Sequence, residues 1–201
     1  MKNLLLVIVL SMASISAFAQ RDNDMQTLIK KGTRVGAYIS FENQFKDFGT
    51  EFPGIYSGVR AGLIFNRYLF VGLGAYGLTN EINLYDVLEQ GDAYELETGY
   101  AGLSLEGVLF PKKAVHVSFP CFFGVGGASI RESGYGWNRN ADEDLFWMYQ
   151  GGANVEMNLT KWMRVSGGVY YTQSEDFSLT GIENNLLSGL SYGMSLKLGR
   201  F

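Results

Sequence analysis

Cysteine, histidine and proline are nearly missing from this 201-residue chain: it has one Cys (Cys121), one His (His116) and three Pro. A lone Cys excludes an internal disulfide and a Cys-based metal cluster. The formal charge of −4 argues against nucleic acid as a partner. Beyond the first twenty residues no apolar run approaches the roughly 20 residues a membrane-spanning helix needs. With a mean hydropathy of +0.02 and 18% charged residues, an α-helical membrane protein is excluded. A β-barrel is not, because only every second residue of its strands meets lipid.

The start of the chain stands apart. Lys2 is its only charge, Leu4 to Leu10 are all apolar, and small residues follow up to Ala17-Phe18-Ala19. A charged start, a short apolar core and an A-x-A site form the pattern of a secretory signal peptide. Residues 1–19 are therefore expected to be removed, leaving Gln20 at the mature N-terminus. No Cys follows the site, so a lipoprotein anchor is not expected. Residues 20–32 are mostly polar and read as a short lead-in, and 33–201 as one domain.

From Thr33 onward the hydrophobic pattern has period two, which places alternate side chains on opposite faces of a sheet. It predicts strands at about 33–45, 55–65, 69–80, 95–110, 114–130, 145–159, 162–173 and 187–201. Tight turns are expected at Asn66-Arg67, Pro111-Lys112-Lys113 and Thr160-Lys161, roughly 46 to 48 residues apart. Longer segments fall at about 46–54, 81–94, 131–144 and 174–186. Short turns at one end and long loops at the other are the signature of an eight-stranded antiparallel up-and-down transmembrane β-barrel, with both termini at the short-turn end.

The two faces differ in kind. Trp147, Tyr149, Val155 and Met157 share one face of the sixth strand, and Gln150, Gly152, Asn154 and Glu156 the other. Val165, Val169 and Tyr171 oppose Arg164, Ser166 and Gly168; Leu190, Tyr192, Met194 and Leu196 oppose Ser191, Gly193, Ser195 and Lys197. The polar face is mostly Gly and Ser with single charges, which suits a narrow lumen; the large apolar face then needs lipid as its solvent. Aromatics near the strand ends form an expected girdle: Phe65, Tyr68, Phe110, Trp162 and Phe201 at the short-turn end, Phe45, Tyr56, Trp147 and Tyr171 at the other.

The signal peptide, the hairpin repeat, the alternation and the terminal Phe201 together resemble the small outer-membrane barrel families such as the OmpA transmembrane domain, OmpX and OmpW. The resemblance covers the chain from about Thr33 and rests on architecture. It implies residence in the outer membrane of a Gram-negative cell, outer-membrane lipids and the barrel-assembly machinery as partners, and Phe201 as the assembly signal. One departure is visible: Lys197 and Gly199, and not the apolar set, share the alternation of Phe201.

The lumen face is expected to carry Arg34, Glu42, Arg60, Glu106, His116, Glu156, Arg164 and Lys197 as a network of mixed sign, since unpaired buried charge is costly. Glu156 and Arg164 flank the Thr160 turn symmetrically, and Glu106 and His116 flank the Pro111 turn, so each couple reads as a cross-strand pair. A structural plug is the expected role, and a gate the alternative. His116-Val117-Ser118 is similar to the His-x-Ser pair of lipid A deacylases, but its flanks differ and it follows a short turn instead of facing the opposite end. Cys121 is expected to be inert. Asp142, Glu143 and Asp144 lack the spacing of a calcium loop. Tyr135 and Trp137 are candidate loop contacts for an extracellular ligand. No catalytic, metal or cofactor site is expected. The expected function is a non-enzymatic outer-membrane barrel with a structural or surface-interaction role through four long loops. A narrow transport barrel is the rival, and a lipid-modifying enzyme the third reading.

Overall fold

The computed structural model describes residues 32–49, 53–82, 94–132, 140–178 and 185–201. The expected signal peptide, the lead-in apart from Gly32, and the loop residues Tyr135 and Trp137 lie outside them. Eight strands close into an antiparallel barrel in chain order: β1 (Val35–Lys46), β2 (Gly54–Phe65), β3 (Leu69–Leu78), β4 (Tyr94–Leu109), β5 (Val115–Glu132), β6 (Asn140–Asn158), β7 (Met163–Glu175) and β8 (Gly189–Gly199). β8 pairs back onto β1, from Tyr38 opposite Gly199 to Lys46 opposite Ser191, so the sheet has no free edge.

The short turns explain the hairpin register. Asn66 and Arg67 both have positive φ, 51° and 71°, and Tyr68 N donates to Phe65 O at 3.0 Å. That is the left-handed pair of a type I′ turn, whose twist matches the strands it joins. Asn66 Oδ1 also accepts from Arg34 N at 3.0 Å, which ties the turn to the start of β1. In the β5–β6 ladder the paired residues run to Ser118↔Asn154 and resume at Cys121↔Gly151. The gap contains Pro120, which has no N–H to give.

The barrel is inverted relative to a soluble one. Its exposed side chains include Phe41, Leu63, Leu73, Leu103, Phe123, Val155, Val169 and Met194. Glu42, Arg60, Glu106, His116, Glu156, Arg164 and Lys197 are buried inside. An outer surface of this kind is stable only in an apolar solvent. Outward residues of β7 stay apolar from Met163 to Tyr171, a run of about the 9–11 residues a tilted strand needs to cross a bilayer. β4, β5 and β6 are longer, at 16, 18 and 19 residues. They continue past the apolar belt, where Glu97 and Glu143 are exposed instead. This is why β6 begins at Asn140 and not at the predicted 145: the pairing persists where the apolar alternation stops.

Two aromatics depart from the expected girdle. Tyr68, Phe110 and Trp162 are exposed on the outside at the short turns, and Trp147 and Tyr171 are exposed on the outside within β6 and β7. Tyr56 instead points inward and is 6% exposed. Phe201 also turns inward, stacking on Phe70 with ring centroids 6.1 Å apart. Its phase mismatch with the apolar residues of β8 has a simple cause. Ser191, Ser195 and Lys197 are the buried side of that strand, and Phe201 continues that side as a cover for the short-turn mouth.

Candidate functional site

The lumen holds the chemistry, and it is layered. Over the short-turn mouth, Tyr38, Ile64, Phe70 and Val108 form a small apolar floor with Phe201 against it. Arg164 lies over the Phe201 ring, its guanidinium carbon 3.9 Å from the centroid, a cation–π contact of the kind that holds an arginine in a tight place.

Above this floor lies an ionic layer. Glu156 receives three neighbours: His116 Nε2 at 3.1 Å, Lys197 Nζ at 3.2 Å and Arg164 Nη1 at 3.8 Å. Lys197 also binds Glu106. Glu106 faces Arg60 at 3.4 Å, and Arg60 pairs with Glu42 through its Nε at 2.5 Å. The chain Glu42–Arg60–Glu106–Lys197–Glu156–Arg164 thus alternates in sign across β1, β2, β4, β8, β6 and β7. Three carboxylates stand beside three permanent cations, with His116 as the seventh member. Ser40 donates to Glu42 at 2.8 Å, and Arg60 donates to Ser104 at 3.0 Å. All seven are buried. At such depth unpaired charge costs several kcal/mol, so a chain of alternating sign is the arrangement the site permits.

The expected members are therefore brought together except for Arg34, which is exposed at the short-turn mouth and has no place in the chain. The expected pairings change more. Glu156 stands opposite Ser166, and Arg164 opposite Asn158, so these two meet only on the diagonal. Glu106 stands opposite Pro120 and not His116. His116 pairs across the next seam, directly opposite Glu156. Symmetry about a turn is a poor guide where the turn is not a two-residue loop, because each added residue shifts the register.

His116 has both nitrogens engaged. Nδ1 meets Lys113 O at 3.2 Å and Nε2 meets Glu156. Ser118 Oγ is buried and makes no hydrogen bond with it. The His-x-Ser spacing therefore brings no activated hydroxyl. Cys121 is outward and exposed.

The layer toward the long loops is aromatic, and sequence reasoning missed it. Tyr76 and Tyr100 stack at 4.9 Å, Phe122 meets both edge-on at 5.7 and 5.6 Å, and Tyr56 lies 5.5 Å from Tyr100. Inward glycines give the rings room: a Cβ on Gly58 would lie 2.1 Å from Tyr76, and one on Gly126 2.3 Å from Phe146. The loop bases complete it. Phe48 after β1, Ile82 after β3, Phe177 after β7 and Leu187 before β8 all bury into this cluster. Lys46 Nζ donates to Leu187 O at 2.7 Å and holds that base down. Tyr76 joins the two layers by donating to Glu42 at 2.7 Å. Beside them Gln150 spans to Gln44 at 2.9 Å and Thr172 at 3.0 Å. The cavity lined by Gln44, Tyr56, Tyr100, Phe146 and Gln150 is only about 20 Å³, room for about one water molecule. The signal for this layer was present in the even-numbered positions of β3 to β6, where Tyr76, Tyr100, Phe122 and Phe146 share the parity of the lumen charges.

Among solved structures, Neisserial surface protein A matches with a TM-score of 0.51 at 13% identity, over 85% of this chain and 100% of that one. In fold, this chain is a small eight-stranded barrel of the outer-membrane type. Two further matches have lower scores. Ail, the attachment invasion locus protein of Yersinia pestis, in complex with the heparin analogue sucrose octasulfate, gives 0.41 at 13% identity, covering 84% of this chain and 97% of that one. A major outer membrane protein from Thermus thermophilus gives 0.43 at 12%, covering 81% and 98%. No protein-family model and no curated protein matches the chain.

Proposed function

We propose that the chain is a non-enzymatic outer-membrane barrel of a Gram-negative cell, exported by residues 1–19, with a structural or surface-interaction role carried by its four long loops. The observation that carries this reading is the inverted barrel: an apolar exterior around a lumen filled by paired charge and stacked rings. An exterior of this kind suits lipid, and the fold shared with Neisserial surface protein A supports the same placement. A filled lumen leaves the loops as the surface offered to molecules outside the cell. The engaged nitrogens of His116 support a non-enzymatic role. The cavity beside Gln150, at about 20 Å³, favours a plug over passage of a solute at that level of the lumen.

The test is topological. Epitope tags inserted within 83–93 and 133–139 should be detected on intact cells, and a tag at Lys112 only after the outer membrane is broken. The extracted chain should begin at Gln20. A Lys112 tag detected on unbroken cells, or an outer-membrane chain that keeps Met1, would overturn the reading.

A further inference from the structure

The two ends of the barrel carry opposite charge. Among the described residues, the short-turn end bears Arg34, Arg67, Lys112, Lys113, Lys161 and Arg200 and no carboxylate side chain. The long-loop end bears Asp47, Glu81, Glu97, Glu143, Asp144 and Glu175 around the buried Lys46. Three of the basic residues converge on one concavity. Arg34 before β1, Arg67 in the β2–β3 turn and Arg200 after β8 line a cleft of about 550 Å³ together with Val35, Gly36, Ile64 and Phe201.

The backbone fixes where these arginines start. Arg34 N donates to Asn66 Oδ1, adjoining Arg67 in the chain, and Arg200 N donates to Ala37 O at 3.0 Å. The chain closure of β8 on β1 thereby brings the third arginine to the other two. None of the three enters the lumen network, and none has an ion pair with a described side chain. The ionic layer above is paired without them. The remaining walls are apolar. Ile64 and Phe201 close the cleft on the lumen side, and Val35, exposed on the outer surface, borders it on the other. The outward rings of Tyr68, Phe110 and Trp162 mark this end as the edge of the apolar belt.

We infer that this cleft binds the phosphate diester of an anionic phospholipid in the leaflet on the short-turn side. Guanidinium forks match phosphate oxygens in a bidentate way, which a single ammonium does not. The apolar border at Val35 lets the attached acyl chain remain against the belt, a feature that a free anion would not use. The inference rests on the membrane-spanning reading above.

The test uses the full chain refolded in a neutral detergent, with phosphatidylglycerol, phosphatidylcholine or inorganic phosphate added and retained ligand read by native mass spectrometry. The wild type should retain phosphatidylglycerol in preference to phosphatidylcholine. Arg34→Gln, Arg67→Gln and Arg200→Gln together should lower that retention about tenfold or more, as basic groups beside an anionic headgroup each add to its binding. Lys112→Gln, Lys113→Gln and Lys161→Gln together remove the same charge from the same end and should leave most of the preference intact. Equal loss in the two triple variants would reduce the cleft to diffuse charge and overturn the proposal. So would retention of the preference by the arginine variant, or displacement of the lipid by inorganic phosphate, which would assign the cleft to a soluble anion. The heat-dependent gel mobility of folded barrels reports folding of each variant. Failure of the wild type itself to fold in detergent would contradict the membrane reading, whereas folding without lipid preference contradicts the cleft alone.

Discussion

The lumen fills the same narrow space in two ways. Its middle is ionic, with carboxylates and cations alternating from Glu42 to Arg164. Its long-loop half is aromatic, built on Tyr56, Tyr76, Tyr100, Phe122 and Phe146. Both are carried by inward positions of the same strands, so alternation alone does not select between them. The difference lies in what closes each layer. The ionic layer lies deep within the barrel wall, where each charge can be matched only by another inward side chain. The aromatic layer is closed by residues that the loops return to it, Phe48, Ile82, Phe177 and Leu187. Damage should therefore spread differently: through unpaired charge in the middle, and through lost burial and loosened loops above.

The largest effect is expected in the middle. Glu106→Ala leaves Lys197 and Arg60 short of a carboxylate, and breaking one half of a buried pair typically costs about 3–5 kcal/mol. Glu106→Leu together with Lys197→Met should cost less than Glu106→Ala, because Glu42–Arg60 and Glu156–Arg164 remain balanced. Urea unfolding of detergent-refolded protein measures both, and a double variant weaker than the single one would remove the pairing argument. In the aromatic half, Leu96→Ala should cost about 2–4 kcal/mol by transfer and cavity terms. It should also increase proteolysis at the loop bases, since Leu96 is 2% exposed and its N–H donates to Ile82 O. An equally costly variant with unchanged loop proteolysis would separate the loops from the cluster.

A smaller effect is expected for the diagonal couple. A cycle with Glu156→Ala and Arg164→Ala should give a coupling of about 0.5–1 kcal/mol, at the low end for contacting residues. The 3.8 Å separation and the competing Lys197 and His116 both dilute it. A coupling as large as the cost of a single variant would restore the direct pair that turn symmetry suggested.

How much was legible in the sequence follows from the same contrast. Strand number, turn positions and the inward or outward sense of Glu106, Glu156, Arg164 and Lys197 could be read, because period two is a local property of each strand. The partners could not. Which inward residues meet depends on register across seams and on barrel closure, and closure brings Lys197 of β8 to Glu106 of β4 across the lumen. Tyr56 was misplaced for a related reason: a ring near a strand end suits either an interface or a lumen core, and parity decides. The loop bases were illegible because Phe48, Ile82 and Phe177 are single apolar residues in polar surroundings, with no period to expose them.

The claim on which both regions depend is that the protein's own side chains seal the lumen, and the most direct measurement is single-channel conductance of the pure, refolded wild type in planar bilayers. Paired charge in the middle and stacked rings above predict a quiet membrane with no stable porin-sized steps. Large, reproducible open-channel steps from the wild type would contradict that claim and return the barrel to the transport reading.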